Sequence, residues 1–146
     1  MTASIDQAVC NSFKAQLLDG NQDFTASTGN VFKLALFQSN AVLNATTTVF
    51  NSTNEVAATG TYVSGGGILA GQTVSLDGSV GIVDFADLSF TGVTLSALGA
   101  VIYNTSFGSN AAVCVLDFGA VKTATSGTFT ILFPAFTSAA AILRIA

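Results

Sequence analysis

Histidine and tryptophan are absent from the 146-residue sequence, and cysteine and proline are scarce. Without an imidazole, the chain cannot hold a Ser-His-Asp triad or a histidine metal site. Cys10 and Cys114 are the only cysteines and form no C-x-x-C pair, which excludes a disulfide framework and a zinc-finger ligand set. We expect both cysteines to be buried free thiols that pack as small hydrophobic side chains.

Charged residues are also few, at 8% of the chain against about 25% in an ordinary soluble domain. Four lysines and arginines stand against eight aspartates and glutamates, and the pI is about 4.1. Because so few cations cannot neutralise a phosphate backbone, the composition excludes a nucleic-acid-binding protein. The chain is half hydrophobic and contains twelve phenylalanines, a composition that excludes an intrinsically disordered protein.

Long hydrophobic runs are missing too, although the mean hydropathy is +0.64. Polar residues and glycines interrupt every apolar run well before the roughly 20 residues that a membrane-spanning helix needs, so we expect no membrane association. Residues 1–6 lack the basic and apolar segments of a signal peptide, which favours synthesis in a reducing cytoplasm. A folded domain so poor in charge is expected to hide much of its surface against other subunits, including other copies of this chain in a homo-oligomer.

The length predicts a single domain, residues 1–146, and the pattern beyond residue 25 predicts strands. About eight or nine short strands separated by turn residues are typical of an antiparallel β-sandwich, of either jelly-roll or immunoglobulin-like topology. Residues 31–37 and 98–103 are apolar on both faces, so we expect them to be covered twice. Asp77-Gly78 predicts a hairpin turn, and residues 104–110 predict a hairpin loop.

One amphipathic helix is predicted ahead of these strands, over residues 4–19. Ser4 and Gln7 have the spacing of a capping box, and Gly20 suits the helix end. One apolar stripe follows at steps of four residues, formed by Ile5, Val9, Phe13 and Leu17. The stripe favours either a helix docked on its own sheet or an arm whose four stripe residues contact a neighbouring subunit.

The carboxylates give only a weak metal-site candidate. Asp84 and Asp87 lie three residues apart at a predicted strand end, where they could share a calcium ion with Asp77 or Glu55. No EF-hand pattern is present, and turn or capping aspartates are the simpler interpretation. We therefore expect no cofactor, no metal and no enzymatic activity.

Several motifs along nearly the whole chain resemble those of one family when taken as a set, although each alone is weakly specific. They include residues 11–20 (NSFKAQLLDG), 24–29 (FTASTG), 32–37 (FKLALF), 83–87 (VDFAD), 99–104 (GAVIYN), 115–119 (VLDFG) and 142–146 (ILRIA). The set resembles a family of small structural proteins encoded by tailed bacteriophages and prophages. The resemblance implies a component of the virion and carries no catalytic residues to this chain.

Three functions follow from this resemblance and the composition. The first is a capsid decoration (cement) protein that binds the major capsid protein and stabilises the assembled shell. The second is a tail or head–tail component, adaptor or fibre-associated, which contacts tail proteins. The third is a lectin-like host-binding module, which needs an exposed aromatic side chain or a calcium site, such as Tyr62 or Tyr103 with Asp84 and Asp87.

Overall fold

The computed structural model describes residues 3–146, which form a mainly β fold with antiparallel sheets and one short helix. Met1 and Thr2, at the start of the predicted single domain, lie outside the described residues. The elements are, in chain order, β1 (Ala8–Val9), α1 (Asn11–Leu18), β2 (Phe32–Phe37), β3 (Gly67–Ile68), β4 (Thr73–Asp77), β5 (Val80–Asp84), β6 (Leu88–Asn104), β7 (Ala111–Ile131) and β8 (Leu143–Ile145).

A five-stranded sheet in the order β1-β7-β6-β2-β3 is built around one long hairpin, β6–β7. The sequence predicts separate short strands over residues 90–95 and 98–103 in one arm and over 111–118 and 128–133 in the other, and the structure joins each pair into one strand. Gly92, Gly119 and Ser126 have positive φ angles, yet they lie inside β6 and β7, whose pairing shifts register at four places. Their turn-like conformations serve as bulges that the hairpin passes through, rather than as breaks between strands.

The predicted burial of residues 31–37 and 98–103 is confirmed except at Val31, which is exposed, and at Lys33 and Leu98, which are half-buried. Five of the six residues of β2 are buried, and so are all residues from Gly99 to Tyr103 in β6. Aromatic rings cover β2 on one side, where Phe24 stacks on Phe32 with ring centres 4.4 Å apart and Phe85 contacts both edge-on. The centre of the core therefore lies against β2 and the neighbouring half of β6.

A separate three-stranded sheet has the order β4-β5-β8. The predicted Asp77-Gly78 turn is confirmed, with Gly78 at a φ of 64° between β4 and β5. Residues directly opposite each other in an antiparallel pair share a face. One face of this sheet therefore carries two rows of apolar residues or glycine, Val74-Val83-Leu143 and Leu76-Gly81-Ile145.

The predicted helix over residues 4–19 is wrong in its first half, since α1 begins only at Asn11. Ser4 does not cap it, and Cys10 takes the N-cap position without a side-chain hydrogen bond. The N–H groups of Asp6 and Cys10 donate instead to the carbonyls of Leu43 and Val113, at 2.8 and 3.0 Å. Long-range partners thus hold the segment extended, where β-branched residues are favoured.

Candidate functional site

An apolar groove of about 800 Å³ separates α1 from the three-stranded sheet. One wall consists of Val9 and the α1 residues Phe13, Leu17 and Leu18, and the other consists mainly of the apolar face of β4, β5 and β8. Leu18 stands at this groove with 89% of its surface exposed. Apolar side chains exposed together in this way are typical of a contact surface.

The contacts made by the two walls explain why this groove is open. Phe13 is the only buried residue of α1, and its ring meets Phe24 edge-on at 6.0 Å, which fixes the helix to the core by one aromatic contact. On the opposite wall, alternation along β4 places Val74 and Leu76 on one face, yet all five residues of the strand are exposed. The chain supplies nothing within residues 3–146 that covers this end of the apolar face.

Three charged side chains line the groove: Lys14, Asp23 and Arg144. Thr25 donates its hydroxyl and its backbone N–H to the Asp23 carboxylate, which lowers the pKa of that carboxyl below its usual range. The Arg144 guanidinium donates to the carbonyls of Ser138 and Ala139 at 3.2 and 2.8 Å. Two of these three charged groups are therefore engaged within the chain, and the groove presents mainly hydrocarbon.

The four predicted contact residues divide into two pairs. Ile5 and Phe13 are buried in the core of the chain itself, and Phe13 also lines the groove. Val9 and Leu17 are only partly buried and line the groove. A subunit contact through these four residues stays a prediction.

Asp84 and Asp87 lie on either side of the link between β5 and β6. The Asp87 carboxylate accepts the backbone N–H of Phe133 at 2.8 Å, which is a structural role. One carboxylate oxygen of Asp84 is buried and has no hydrogen-bond partner among the described residues. Within residues 3–146 no group of three cysteine, aspartate or glutamate side chains lies close enough together to hold a metal ion.

A polar cluster forms around Glu55, a residue that the sequence singled out only as a possible calcium partner. Its carboxylate accepts hydrogen bonds from the Tyr62 hydroxyl and the Gly65 N–H, both at 2.7 Å, and from the Ser64 hydroxyl at 3.3 Å. The Tyr62 oxygen in turn accepts the backbone N–H of Leu36 at 2.8 Å. This cluster ties a loop to β2, an interior strand of the large sheet, and its donors and acceptors are occupied by one another.

Neither tyrosine proposed for a sugar platform is exposed. Tyr62 is fully buried, and Tyr103 is nearly so, with its hydroxyl donating to the Gly65 carbonyl at 2.5 Å. Burial, with the nearby Glu55 carboxylate, raises the pKa of Tyr103 to about 12. Burial also raises the pKa of Tyr62 far above its usual value. The expectation that either ring stacks on a glycan is therefore wrong.

Both cysteines are buried free thiols, as predicted. Burial raises the pKa of Cys10 to about 11, against a smaller lowering by the charge of Lys14, and burial also raises that of Cys114. Neither thiol is poised as a nucleophile at neutral pH.

The sequence contains the apolar pattern that forms the walls of the groove, but this pattern alone does not predict the groove. The alternation of Val74 and Leu76 predicts a strand with one apolar face, but the sequence does not tell which faces the rest of the chain covers.

α1 is the only helix among residues 3–146, and its eight residues are too few to cross a membrane. No protein-family model matches the chain, and no match is found among curated proteins or among solved structures.

Proposed function

We propose that this chain is a structural protein of a tailed-bacteriophage virion, a capsid decoration protein that binds the major capsid protein and stabilises the assembled shell. The observation that carries this proposal is the open apolar groove between α1 and the three-stranded sheet, with Leu18 exposed beside it. The resemblance of the sequence motifs to those of small virion proteins supports the assignment to a bacteriophage virion.

A decoration protein acts by burying surface against its neighbours, and the chemistry of this surface suits that task. Interface cores are depleted in charge and rich in apolar contacts, as the groove is. Charged side chains make up only 8% of the whole chain, so few charges have to be desolvated when a neighbour docks. Hydroxyl and amide side chains in the loops can form hydrogen bonds at the rim of such an interface.

The finer fold assignment, an antiparallel β-sandwich, belongs to the same proposal. Phe85 supports it, because this residue directly follows β5 of the small sheet and packs on Phe32 of the large sheet at 5.9 Å between ring centres. A rigid sandwich would present the groove to the shell with little loss of conformational freedom on binding.

Binding to undecorated capsids tests the function. The purified chain is mixed with shells that lack it, the shells are sedimented, and the bound protein is measured. We expect Leu18→Asp to abolish co-sedimentation, because it places a charge in the groove contact. Leu132→Asp is the matched control, since Leu132 is also largely exposed (74%) but does not line the groove.

Location in the virion separates decoration from the tail alternative. Cryo-electron microscopy of virions is expected to show density for the chain over the whole shell. Density confined to a ring or fibre at the tail would contradict the decoration role and favour a tail or head–tail component. Equal loss of capsid binding in Leu18→Asp and Leu132→Asp would contradict the assignment of the groove.

A further inference from the structure

The edge of β4 is the most exposed piece of regular structure in the small sheet. β4 is bonded to β5 on one side and has no strand on the other among residues 3–146. All five of its residues are exposed, including Val74 at 56% and Leu76 at 70%. An apolar strand with a free edge is a template for pairing with another strand.

Turn geometry shows which backbone groups of β4 point to this free edge. The link to β5 contains two residues, and the positive φ of its first residue, Gly78, suits a type II′ turn. In such a hairpin the flanking pair, Asp77 and Val80, is hydrogen-bonded, and bonded pairs alternate along the ladder. The backbone groups of Thr73, Ser75 and Asp77 therefore face β5, and those of Val74 and Leu76 face outward.

The usual protections of an edge strand are missing from β4. It contains no lysine, no proline and no bulge, and its register with β5 is uninterrupted. The outer edge of β7 beyond Asp117 differs, because it carries Lys122 and two residues with positive φ, Gly119 and Ser126. Such features discourage strand pairing at an edge. β4 is thus an edge that remains available for pairing.

We propose that β4 pairs with β4 of a second copy of this chain, antiparallel, about a two-fold axis at Ser75. In this register all five residues pair, and Val74 and Leu76 of each copy face Leu76 and Val74 of the other. The outward N–H and C=O groups of these residues then form four hydrogen bonds across the axis. The two small sheets become one six-stranded sheet with a continuous apolar face.

Charge complementarity favours a second copy as the occupant. Asp77 is the only charged residue of β4, and in this register it lies opposite Thr73 of the other copy rather than opposite another carboxylate. Apolar side chains lie opposite apolar side chains, and Ser75 lies opposite Ser75 of the other copy. An isologous interface requires this self-complementarity, and a strand with its charge in the middle would not provide it. The pairing does not rest on the proposed role in a virion.

Cysteine cross-linking tests the register. At a non-hydrogen-bonded antiparallel pair the Cα atoms are about 4.5 Å apart, within the range that a disulfide bridges. We expect Ser75→Cys to form a covalent dimer under mild oxidation, seen on a non-reducing gel. Thr73→Cys is the matched control and should stay uncross-linked, because its counterpart is Asp77. The native thiols do not compete, since both are buried.

Sedimentation of the uncross-linked protein tests the pairing itself. We expect the wild type to sediment at twice its mass of 14.7 kDa. Leu76→Lys should weaken the dimer by more than about tenfold, since it brings charge into a desolvated contact, whereas Leu132→Lys should leave it intact. A wild-type monomer, even one whose β4 is taken by another protein, would overturn the proposal, as would a dimer in which Ser75→Cys does not cross-link. Capsid binding by a monomer would leave the proposed function standing.

Discussion

The two sheets of this chain use apolar strands in opposite ways. In β2 of the large sheet five of six residues are buried, whereas in β4 of the small sheet all five are exposed. β2 is apolar at five of its six positions, whereas β4 alternates two apolar residues with three polar ones. The two strands also differ in their neighbours: β2 lies between two strands and under a cluster of aromatic rings, and β4 has a neighbouring strand on one side only. The large sheet therefore carries the stability of the fold, and the small sheet carries surface available for contacts.

Gly66→Ala is the change expected to damage the large sheet most. Gly66 has a φ of 83°, and a Cβ atom there would collide with the backbone of Leu34 in β2. We expect a loss of about 3 kcal/mol or more in the free energy of unfolding, from backbone strain plus overpacking. Urea denaturation followed by circular dichroism measures it.

Gly78→Ala is the matched change in the small sheet. Gly78 also has a positive φ, of 64°, but a Cβ atom there would meet nothing within 4 Å. Only the strain of the left-handed conformation remains, so we expect a loss of about 1 kcal/mol. Equal losses at Gly66 and Gly78 would contradict the view that the large sheet is the tightly covered one.

Tyr62→Phe is expected to have the next largest effect, again in the large sheet. The change keeps the ring, which packs against Phe90 at 4.9 Å, but removes the hydroxyl that joins Leu36 to Glu55. The Leu36 N–H is left buried without its partner, so we expect a loss of about 1–3 kcal/mol in the free energy of unfolding. Thermal and urea denaturation measure it.

Tyr103→Phe is the control for the tyrosine, because its hydroxyl makes a single bond, to the Gly65 carbonyl. We expect it to cost less than Tyr62→Phe. A larger loss at Tyr103 would show that the bond from Tyr103 in β6 to Gly65, and not the link between Leu36 and Glu55, is the main attachment of the loop to the large sheet.

Local patterns predict the strands of both sheets better than the limits of those strands. Residues 31–37 predict β2, and Asp77-Gly78 predicts the β4–β5 turn, because apolar runs and turn residues act over short distances. The predicted start of the helix is wrong for a physical reason. Ile5 and Val9 are four residues apart, a spacing that keeps side chains on one face of a strand as well as of a helix. Bonds to Leu43 and Val113, far along the chain, decide the outcome.

The candidate site depends even more on long-range packing. Val74 and Leu76 predict an apolar face, yet only the position of α1 and the absence of a further strand among residues 3–146 leave it open. Glu55 and Tyr62 are close in sequence, but the N–H that completes their cluster comes from Leu36 in β2. No local pattern indicates which backbone donor a buried tyrosine will meet.

The smallest effect is expected from Asp77, the charge at the end of the exposed strand. Its carboxylate accepts the Ser138 N–H at 2.6 Å, and this bond lowers the pKa of Asp77 below its usual value. A carboxyl with a lowered pKa in the folded state stabilises the fold above its unfolded pKa of about 3.9. That contribution is lost as the pH falls through the folded value. Asp77→Asn should therefore weaken the acid dependence of unfolding slightly, as measured by thermal denaturation between neutral pH and pH ~2.

Asp23→Asn is the comparison for Asp77, because the pKa of Asp23 is lowered in the same direction by Thr25. Asp23 lies beside Phe24 of the core, whereas Asp77 lies at the free edge of the small sheet. If the pairing of β4 with a second copy holds, the Asp77 carboxylate also lies against a threonine hydroxyl of that copy. The acid dependence that Asp77→Asn removes should then grow with protein concentration, and the part that Asp23→Asn removes should not. A concentration-independent effect at both positions would place Asp77 outside the contact between copies, and so would remove the charge argument for the β4 register.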